Sequence, residues 1–348
     1  MENPTNKTIL KRKARINFMQ NVAMLSKWHV HAGGYANDVK KLGHNITAVW
    51  DEDEGRGAAW AAELGCDYEK DLAKILARSD VDAVVVDCET SKHKDVMVAA
   101  ANAKKHIFTE KTLAATKKDA LEIAKAVKEN NVIFTISMPQ RTSPVVQYAK
   151  QIIDSGAIGQ INTARFRNAH DGASGDWLPL YWYVEADACG GAMMDLGCHP
   201  MYIANYLLGE PARITSIYNA TTTKALDHGI EDNAINLVEF KNKAIAMVET
   251  SFVTPVSPWA FEIYGTAGML FASDGGVKLS TPETRKLRDG FIEVTRLPKP
   301  LPSPLATWFA AIEKGDPVVF DINAGVGLSE LLECAYISHK TGTTVTIQ

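Results

Sequence analysis

An acid and an imidazole stand four residues apart in an otherwise apolar stretch. Within residues 190–209 (GGAMMDLGCHPMYIANYLLG), these are Asp195 and His199. The opening glycines, the closing Leu-Leu-Gly and the apolar spacing predict a buried helix, which Pro200 either kinks or starts. Residues i and i+4 share a helix face, so the carboxylate could orient the imidazole and both could reach one ligand. Alternatively, the two side chains only satisfy each other in a core helix.

Lys111 is a second candidate because it follows a strand-like run at residues 106–109. In a parallel sheet it would lie at the carboxyl edge, where open α/β sheets bind ligands. Its ammonium could hydrogen-bond a substrate hydroxyl, and Glu110 could steer it. An isolated Glu-Lys pair at a strand end is otherwise usually a solvated surface pair.

The loop after the first strand-like run differs from a usual dinucleotide turn. Such turns read G-x-G-x-x-G, whereas Ser26, Trp28 and His31 stand at the aligned positions. Trp28 would occupy space that a diphosphate needs unless its ring folds away. The loop is therefore either a modified nucleotide-binding turn or a compact turn in a sheet without nucleotide.

Asp51 ends the second strand-like run, about 25 residues beyond that loop. A carboxylate there accepts hydrogen bonds from ribose hydroxyls and repels a 2′-phosphate, which predicts NAD over NADP. Alternatively, it belongs to the acidic start of the next helix. The predicted cofactor-binding residues are Ser26, Lys27, Trp28, His29, Val30, Asp51, Cys88, Glu89, Thr90, His93, Glu110 and Lys111.

Polar and aromatic residues precede the central stretch. This mixture suits a polyhydroxylated ligand, although an aromatic cap over the core is an alternative. The predicted substrate-binding residues are Lys111, Arg141, His170, Tyr181, Trp182, Asp195 and His199. We predict no metal site, since the five cysteines are scattered without a C-x-x-C pair.

The elements that would position these residues alternate between strand and helix as far as residue 137. Strand-like runs lie at 22–25, 46–50, 82–87, 106–109 and 132–137, with helical runs at 54–64, 93–103 and 117–130. Short βα connections imply an open, doubly wound parallel sheet. Later runs alternate as antiparallel strands do, at 161–168, 213–220, 232–240, 244–252, 260–264 and 269–272, with helices near 145–155 and 324–341. The predicted fold class is α/β, with a C-terminal α/β domain built on a large open, mostly antiparallel sheet.

Length, charge and cysteine usage narrow the class of protein. A chain of 348 residues suits two domains, and we divide it into a flexible extension (1–20), a dinucleotide-binding domain (21–140) and a substrate-binding and oligomerisation domain (141–348). The net charge of −4 offers no basic field for nucleic acid, and no apolar run approaches membrane-spanning length. An odd number of scattered cysteines favours reduced thiols and a cytoplasmic protein.

Several segments together resemble the Gfo/Idh/MocA family, the glucose-fructose oxidoreductase and inositol dehydrogenase group. Glu110-Lys111-Thr112 is similar to the family's Glu-Lys-Pro motif. The glycine pair at 190–191 and Asp195-Leu196-Gly197-Cys198-His199 are similar to its glycine pair and D-x-G-x-H signature. Tyr202 stands where the family often has an aspartate. Residues 158–159, 231–234 and 264–268 are similar to secondary family segments.

The resemblance implies an N-terminal Rossmann domain and a C-terminal sheet that often forms oligomer contacts. It also implies that Lys111, Asp195 and His199 match the family's catalytic trio. We therefore predict an NAD-dependent dehydrogenase acting on a hydroxyl of a sugar, inositol or related polyol, as a homodimer or homotetramer without nucleic-acid or membrane partners. Two alternatives are redox-assisted glycoside cleavage by a tightly held NAD and a non-catalytic nucleotide or sugar sensor, which the altered turn keeps open.

Overall fold

The computed structural model describes residues 19–257, 259–273, 275–288 and 290–348. The predicted extension lies outside these residues, apart from its last two. The strands are β1 (Asn21–Leu25), β2 (Asn45–Trp50), β3 (Asp67–Tyr68), β4 (Ala83–Val86), β5 (His106–Thr109), β6 (Phe134–Ile136), β7 (Ile161–Ala169), β8 (Pro211–Asn219), β9 (Asn233–Phe240), β10 (Ile245–Ser251), β11 (Ala260–Gly265), β12 (Met269–Ser273), β13 (Gly276–Ser280), β14 (Ile292–Glu293) and β15 (Val345–Thr346).

The helices cover both sheets. They are α1 (Ala32–Lys41), α2 (Glu54–Leu64), α3 (Leu72–Ala77), α4 (His93–Asn102), α5 (Lys117–Glu129), α6 (Pro144–Asp154), α7 (Glu185–Ala188), α8 (Cys198–Leu208), α9 (Thr223–His228), α10 (Pro282–Leu287), α11 (Pro304–Lys314) and α12 (Ile322–Thr341). Within the described part of the chain, none of these helices has the length and apolar character that a membrane crossing requires.

The first six strands form a parallel sheet in the order β3-β2-β1-β4-β5-β6. All four residues of β4 are buried, as expected for a strand with helices on both faces. The strand order reverses between β1 and β4, and open sheets of this kind bind ligands at the carboxyl ends beside that point. The predicted doubly wound sheet is confirmed. β3 has only two residues, too few for a periodic signal, and the sequence interpretation missed it.

The second sheet has nine strands in the order β14-β13-β12-β11-β7-β10-β9-β8-β15. β7 pairs in parallel with β10 and antiparallel with β11, and the other neighbours pair antiparallel. This confirms the prediction of a large, mostly antiparallel sheet. The strand β13 and the helix α11 were not predicted.

The last part of the chain returns to the first sheet. Leu305, Trp308 and Phe309 of α11 join the apolar cluster of that sheet, which includes Val22 and Val85. The twenty-residue helix α12 packs against α5, β6 and β8 and so contacts both sheets. The division after residue 140 stays a prediction, since the chain beyond residue 300 contributes side chains to both cores.

Candidate active site

The central stretch is not one α-helix. Met193–Gly197 form a π-helical turn, and α8 follows from Cys198 to the C-cap Gly209. The predicted buried helix is present and Gly209 ends it as expected, but its first five residues form a π-turn. The π-turn closes on i+5 and still keeps Asp195 and His199 in each other's electrostatic surroundings. Pro200 lies in the first turn of α8, where helices tolerate proline.

The glycine pair allows a close approach of Glu231. A Cβ on Gly191 would lie 1.9 Å from the main-chain oxygen of Glu231, and one on Gly190 would lie 2.1 Å from Tyr336 Oη. The buried Glu231 carboxylate accepts the N–H groups of Gly191 and Met193 and the hydroxyl of Tyr336. Glu231 therefore fixes the start of the π-turn that carries Asp195. Sequence reasoning noted its segment only as a family resemblance.

Lys111 and Asp195 form a buried ion pair. Lys111 Nζ donates to Asp195 Oδ1 at 2.6 Å and to its main-chain oxygen at 2.8 Å. Burial lowers the pKa of Lys111, but the neighbouring carboxylates of Asp195 and Glu110 more than offset this, so its pKa is raised. Burial raises the pKa of Asp195, yet Lys111 overcomes that effect and holds the pKa at about 2. Both side chains are therefore charged at neutral pH.

His199 is paired with Tyr202 instead of Asp195. His199 Nδ1 lies 2.9 Å from Tyr202 Oη, which accepts the N–H of Gln140 at 3.2 Å. Burial, followed by the charge of Lys111, lowers the pKa of His199 to about 3. The imidazole is thus neutral at pH 7. The i, i+3 spacing of His199 and Tyr202 on α8 is the signal that could have found this pair.

The loop after β1 is closed by its own hydrogen bonds. Ser26 has a φ of +78°, and its hydroxyl donates to Glu52 at 2.7 Å while accepting the N–H of Trp28 at 3.0 Å. The N–H of Lys27 donates to Asp51 at 2.8 Å, and that of His29 donates to the Asp87 carbonyl at 3.0 Å. These N–H groups are therefore not available to a ligand in this conformation.

Trp28 and His29 fill the crevice between the two sheets. The Trp28 ring stacks on Trp182 with centroids 4.8 Å apart, and His29 meets the same ring edge-on at 4.8 Å. With Lys111 and Asp195 among its lining residues, the remaining cavity measures about 20 Å³. That volume holds about one water molecule. Thus the Trp28 ring folds onto Tyr181 and Trp182, which precede α7.

Asp51 ends β2 as predicted, but its carboxylate is covered. It accepts the N–H groups of Lys27 and Asp53 and contacts the Arg56 guanidinium at 2.7 to 3.1 Å. Arg56 also pairs with Glu52, whose pKa burial and Asp51 raise to about 7. Sequence reasoning missed Arg56, although its place in the first turn of α2 puts it next to Asp51.

The other predicted cofactor-binding residues lie at the same edge with different environments. His93 is buried with its ring nitrogens at the carbonyls of Thr112 and Cys88, so it links two loops. Thr90 lines the small cavity beside Lys111. Glu89 pairs with Lys92 at 3.0 Å, Cys88 is buried, and Val30 is exposed.

Two predicted substrate-binding residues lie further from Lys111. Arg141 places its guanidinium 4.1 Å from the Tyr206 ring centroid, in a separate cavity that Tyr202 also lines. His170 stacks on Phe252 and lies tilted against Trp177, and burial lowers its pKa while Asp195 acts in the opposite direction. The structure thus brings His170 into the electrostatic surroundings of Asp195, whereas Arg141 lines a cavity with Tyr202, the partner of His199. Tyr181 is partly exposed beside Trp28.

Two family models match this chain. Residues 25–138 match the oxidoreductase family with an NAD-binding Rossmann fold, and residues 146–271 match the GFO/IDH/MocA C-terminal domain. D-xylose 1-dehydrogenase (NADP(+)) 2 of Haloferax volcanii is 27% identical over 87% of this chain and 92% of that protein. The scyllo-inositol 2-dehydrogenase (NAD(+)) of Bacillus subtilis is 31% identical over 66% of each chain.

Solved structures show the same fold. A levoglucosan dehydrogenase in complex with NADH and levoglucosan aligns with a TM-score of 0.84 at 22% identity, covering 94% of this chain and 99% of that one. The two family models, which follow one another along the sequence, lead to one conclusion: the chain belongs to the Gfo/Idh/MocA family of NAD-binding oxidoreductases.

Proposed function

We propose that this oxidoreductase is an NAD-dependent dehydrogenase acting on a hydroxyl of a sugar, inositol or related polyol. The observation that carries the proposal is the Lys111–Asp195 ion pair beside a neutral His199, at the carboxyl edge of the parallel sheet. The relatives named for xylose, scyllo-inositol and levoglucosan support this class, because all three are polyhydroxylated.

Each of these residues has a role that follows from its contacts. The Lys111 ammonium donates a hydrogen bond to the substrate hydroxyl oxygen, and Asp195 fixes its position. His199 takes the hydroxyl proton at Nε2 when Nδ1 carries a proton and donates to Tyr202. NAD, when bound, accepts the hydride from the hydroxyl-bearing carbon.

The parallel sheet suits NAD, whereas the loop after β1 is closed by its own hydrogen bonds. The strand order and the acid that ends β2 are those of dinucleotide-binding folds, whereas the turn into α1 lacks the usual glycines. Trp28 and His29, however, occupy the space beside Lys111. A nicotinamide ring can therefore reach Lys111 only when these two rings move.

A Lys111→Met variant tests the proposal. We expect the wild type to form NADH with at least one member of a polyol panel, and the variant to lose about 10²-fold or more in kcat. NAD binding, measured by calorimetry, should be largely unchanged. Lys92→Met is the matched control, since Lys92 is a more exposed lysine paired with Glu89 at the same edge. Near-ultraviolet circular dichroism checks the fold, because Asp195 loses its buried partner.

A Lys111→Met variant with full rate would remove Lys111 from the mechanism. A second candidate is a non-catalytic sensor, which the closed loop and the filled crevice support. Wild-type protein that binds NAD or a sugar but forms no NADH with any polyol would favour the sensor over the dehydrogenase.

The proposal extends to a homodimer or homotetramer formed through the open face of the nine-stranded sheet. Apolar side chains are exposed at paired or adjacent positions of β8, β9 and β10, namely Ile217, Ile235, Leu237 and Ile245. Light scattering after size-exclusion chromatography measures the mass. A cytoplasmic location also remains a proposal, which the five unpaired cysteines, all among the described residues, support.

A further inference from the structure

Two imidazoles and a carboxylate converge where β1 leads into α1. His29 and His31 belong to the loop after β1, and Glu110 follows β5. One possible ligand atom from each side chain lies within 4.8 Å of the others, and His31 Nδ1 is 3.2 Å from Glu110 Oε2. None of the three has a role in the proton transfer assigned to His199.

His29 has a buried ring nitrogen without a partner. Its Nδ1 lies 3.2 Å from the N–H of His31, whereas its Nε2 makes no hydrogen bond to any residue that the structure describes. The His29 side chain is almost completely buried beneath Trp182. A buried polar atom left unpaired is unfavourable, so a bound ion or water is expected to satisfy it.

The carboxylates around this cluster also favour a cation. Glu110 is 1% exposed; its oxygens accept the N–H of Lys111 and the hydroxyl of Tyr35 and contact His31. Asp87 is fully buried in the electrostatic surroundings of Glu110, and neither of its carboxylate oxygens has a partner within the described ranges. A divalent cation bound at Glu110 would compensate the negative charge of this buried carboxylate.

We infer that His29, His31 and Glu110 bind a divalent transition-metal ion of the zinc type. Two imidazoles and one carboxylate are the protein ligands of a class of catalytic zinc sites, and three ligands leave one coordination position open. Borderline nitrogen and oxygen donors favour such an ion over Mg²⁺ or Ca²⁺, which prefer oxygen. The scattered cysteines argued only against metal sites with thiolate ligands. The signal in the sequence is the H-x-H spacing at residues 29–31.

Metal binding is measured on the full chain without an affinity tag and without NAD or substrate, so its outcome does not depend on the proposed dehydrogenase activity. Protein stripped with a chelator is titrated with Zn²⁺ alone, and bound metal is counted by mass spectrometry after dialysis. We expect one Zn²⁺ per chain and a loss of affinity of at least about tenfold in His31→Ala. His31 is partly exposed, so this variant should fold. His228→Ala, which changes an exposed histidine on α9, is the matched control.

Glu110→Gln provides a second variant that keeps the side-chain shape and should also weaken Zn²⁺ binding. Co²⁺ titration gives an independent readout, because ligation by imidazoles changes its visible spectrum. Failure of the wild type to retain Zn²⁺ would overturn the inference. Equal Zn²⁺ affinity in wild type, His31→Ala and Glu110→Gln would overturn it as well, since the ion would then occupy another site.

Discussion

The protonation state of each residue at the site depends on its burial and on one close partner. Lys111 and Asp195 stay charged because each offsets the other's loss of hydration. His199 has no such carboxylate partner and is held neutral. Removing one member of a buried pair leaves an uncompensated charge and costs about 3–5 kcal/mol, which is why folding controls accompany the Lys111 variant.

The low pKa of His199 predicts a specific pH dependence. Burial and Lys111 depress this pKa from 6.5 to about 3, so the folded protein keeps a neutral base at pH 5. As the pH is lowered, kcat/KM for polyol oxidation should show no decrease with a midpoint near 6.5 that is caused by protonation of His199. A pH profile between 5 and 8 measures this. An inflection near 6.5 in the wild type that is absent from a residually active His199→Asn variant would contradict the prediction.

The same shift links stability to pH. The unfolded chain binds a proton at His199 as pH falls through 6.5, whereas the folded chain remains neutral there until pH approaches 3. The contribution of His199 to the free energy of unfolding is therefore complete above pH 6.5 and declines below it. Urea unfolding of wild type and His199→Asn at several pH values isolates this contribution.

At the scale of elements, the π-turn and the glycine pair decide where Asp195 points. Glu231 approaches Gly191 so closely that no side chain fits between them. The periodicity of apolar residues in 190–209 does not reveal the π-turn, because this turn changes the spacing over only five residues. It does not reveal the close approach of Glu231 to Gly191 either. The π-turn that carries Asp195 is thus fixed by Glu231, which lies just before β9 and is distant in sequence.

Gly191→Ala tests this dependence on close approach. A Cβ 1.9 Å from the Glu231 oxygen forces the backbone to move, so we expect a loss of about 1–3 kcal/mol or more in stability and a strong loss of activity. Gly34→Ala in α1 is the control, because its Cβ would meet nothing within 4 Å and alanine favours helix. Urea unfolding compares the two. Equal stabilities would contradict the expected clash.

Across the whole molecule, the two sheets are joined in two ways. The aromatic stack of Trp28 and Trp182 closes the crevice between them, and the returning helices α11 and α12 cover the first sheet. The parallel sheet therefore depends on residues from the far end of the chain. The crevice, in turn, has a closed arrangement that a ligand must open.

Trp308→Ala measures how far the first sheet relies on α11. Trp308 is completely buried among residues of β1, β4 and β5, so the cavity should cost about 3–5 kcal/mol. Trp177→Ala, at a residue that is 54% exposed, should cost much less. Urea denaturation followed by circular dichroism gives both values. A loss in Trp308→Ala as small as that expected for Trp177→Ala would show that α11 contributes little.

Trp28→Ala tests the closed crevice. The stack on Trp182 is worth about 0.5–1.5 kcal/mol, and that free energy no longer opposes NAD once the ring is removed. We expect NAD affinity to rise about two- to tenfold. Isothermal titration calorimetry of wild type, Trp28→Ala and Trp177→Ala measures the change. Weaker NAD binding in Trp28→Ala would mean that the ring contacts the cofactor instead of obstructing it.

The sequence by itself determined the parallel sheet and the location of Lys111 at a strand end. These features are local: continuous apolar runs mark buried strands, and short connections place their ends at one edge. The motif residues Asp195 and His199 were also visible. Their roles remain a proposal, although the fold and the family that they indicated are confirmed.

Only the tertiary structure decided which side chains meet. Lys111 reaches Asp195 across 84 residues of sequence, and His31 reaches Glu110 across 79. Trp28 stacks on Trp182 from the other domain. Such pairs depend on how separately folded segments pack, and periodicity carries no information about that. The local pattern allowed an Asp195–His199 pair, but the carboxylate bonds to the buried ammonium of Lys111, which is distant in sequence.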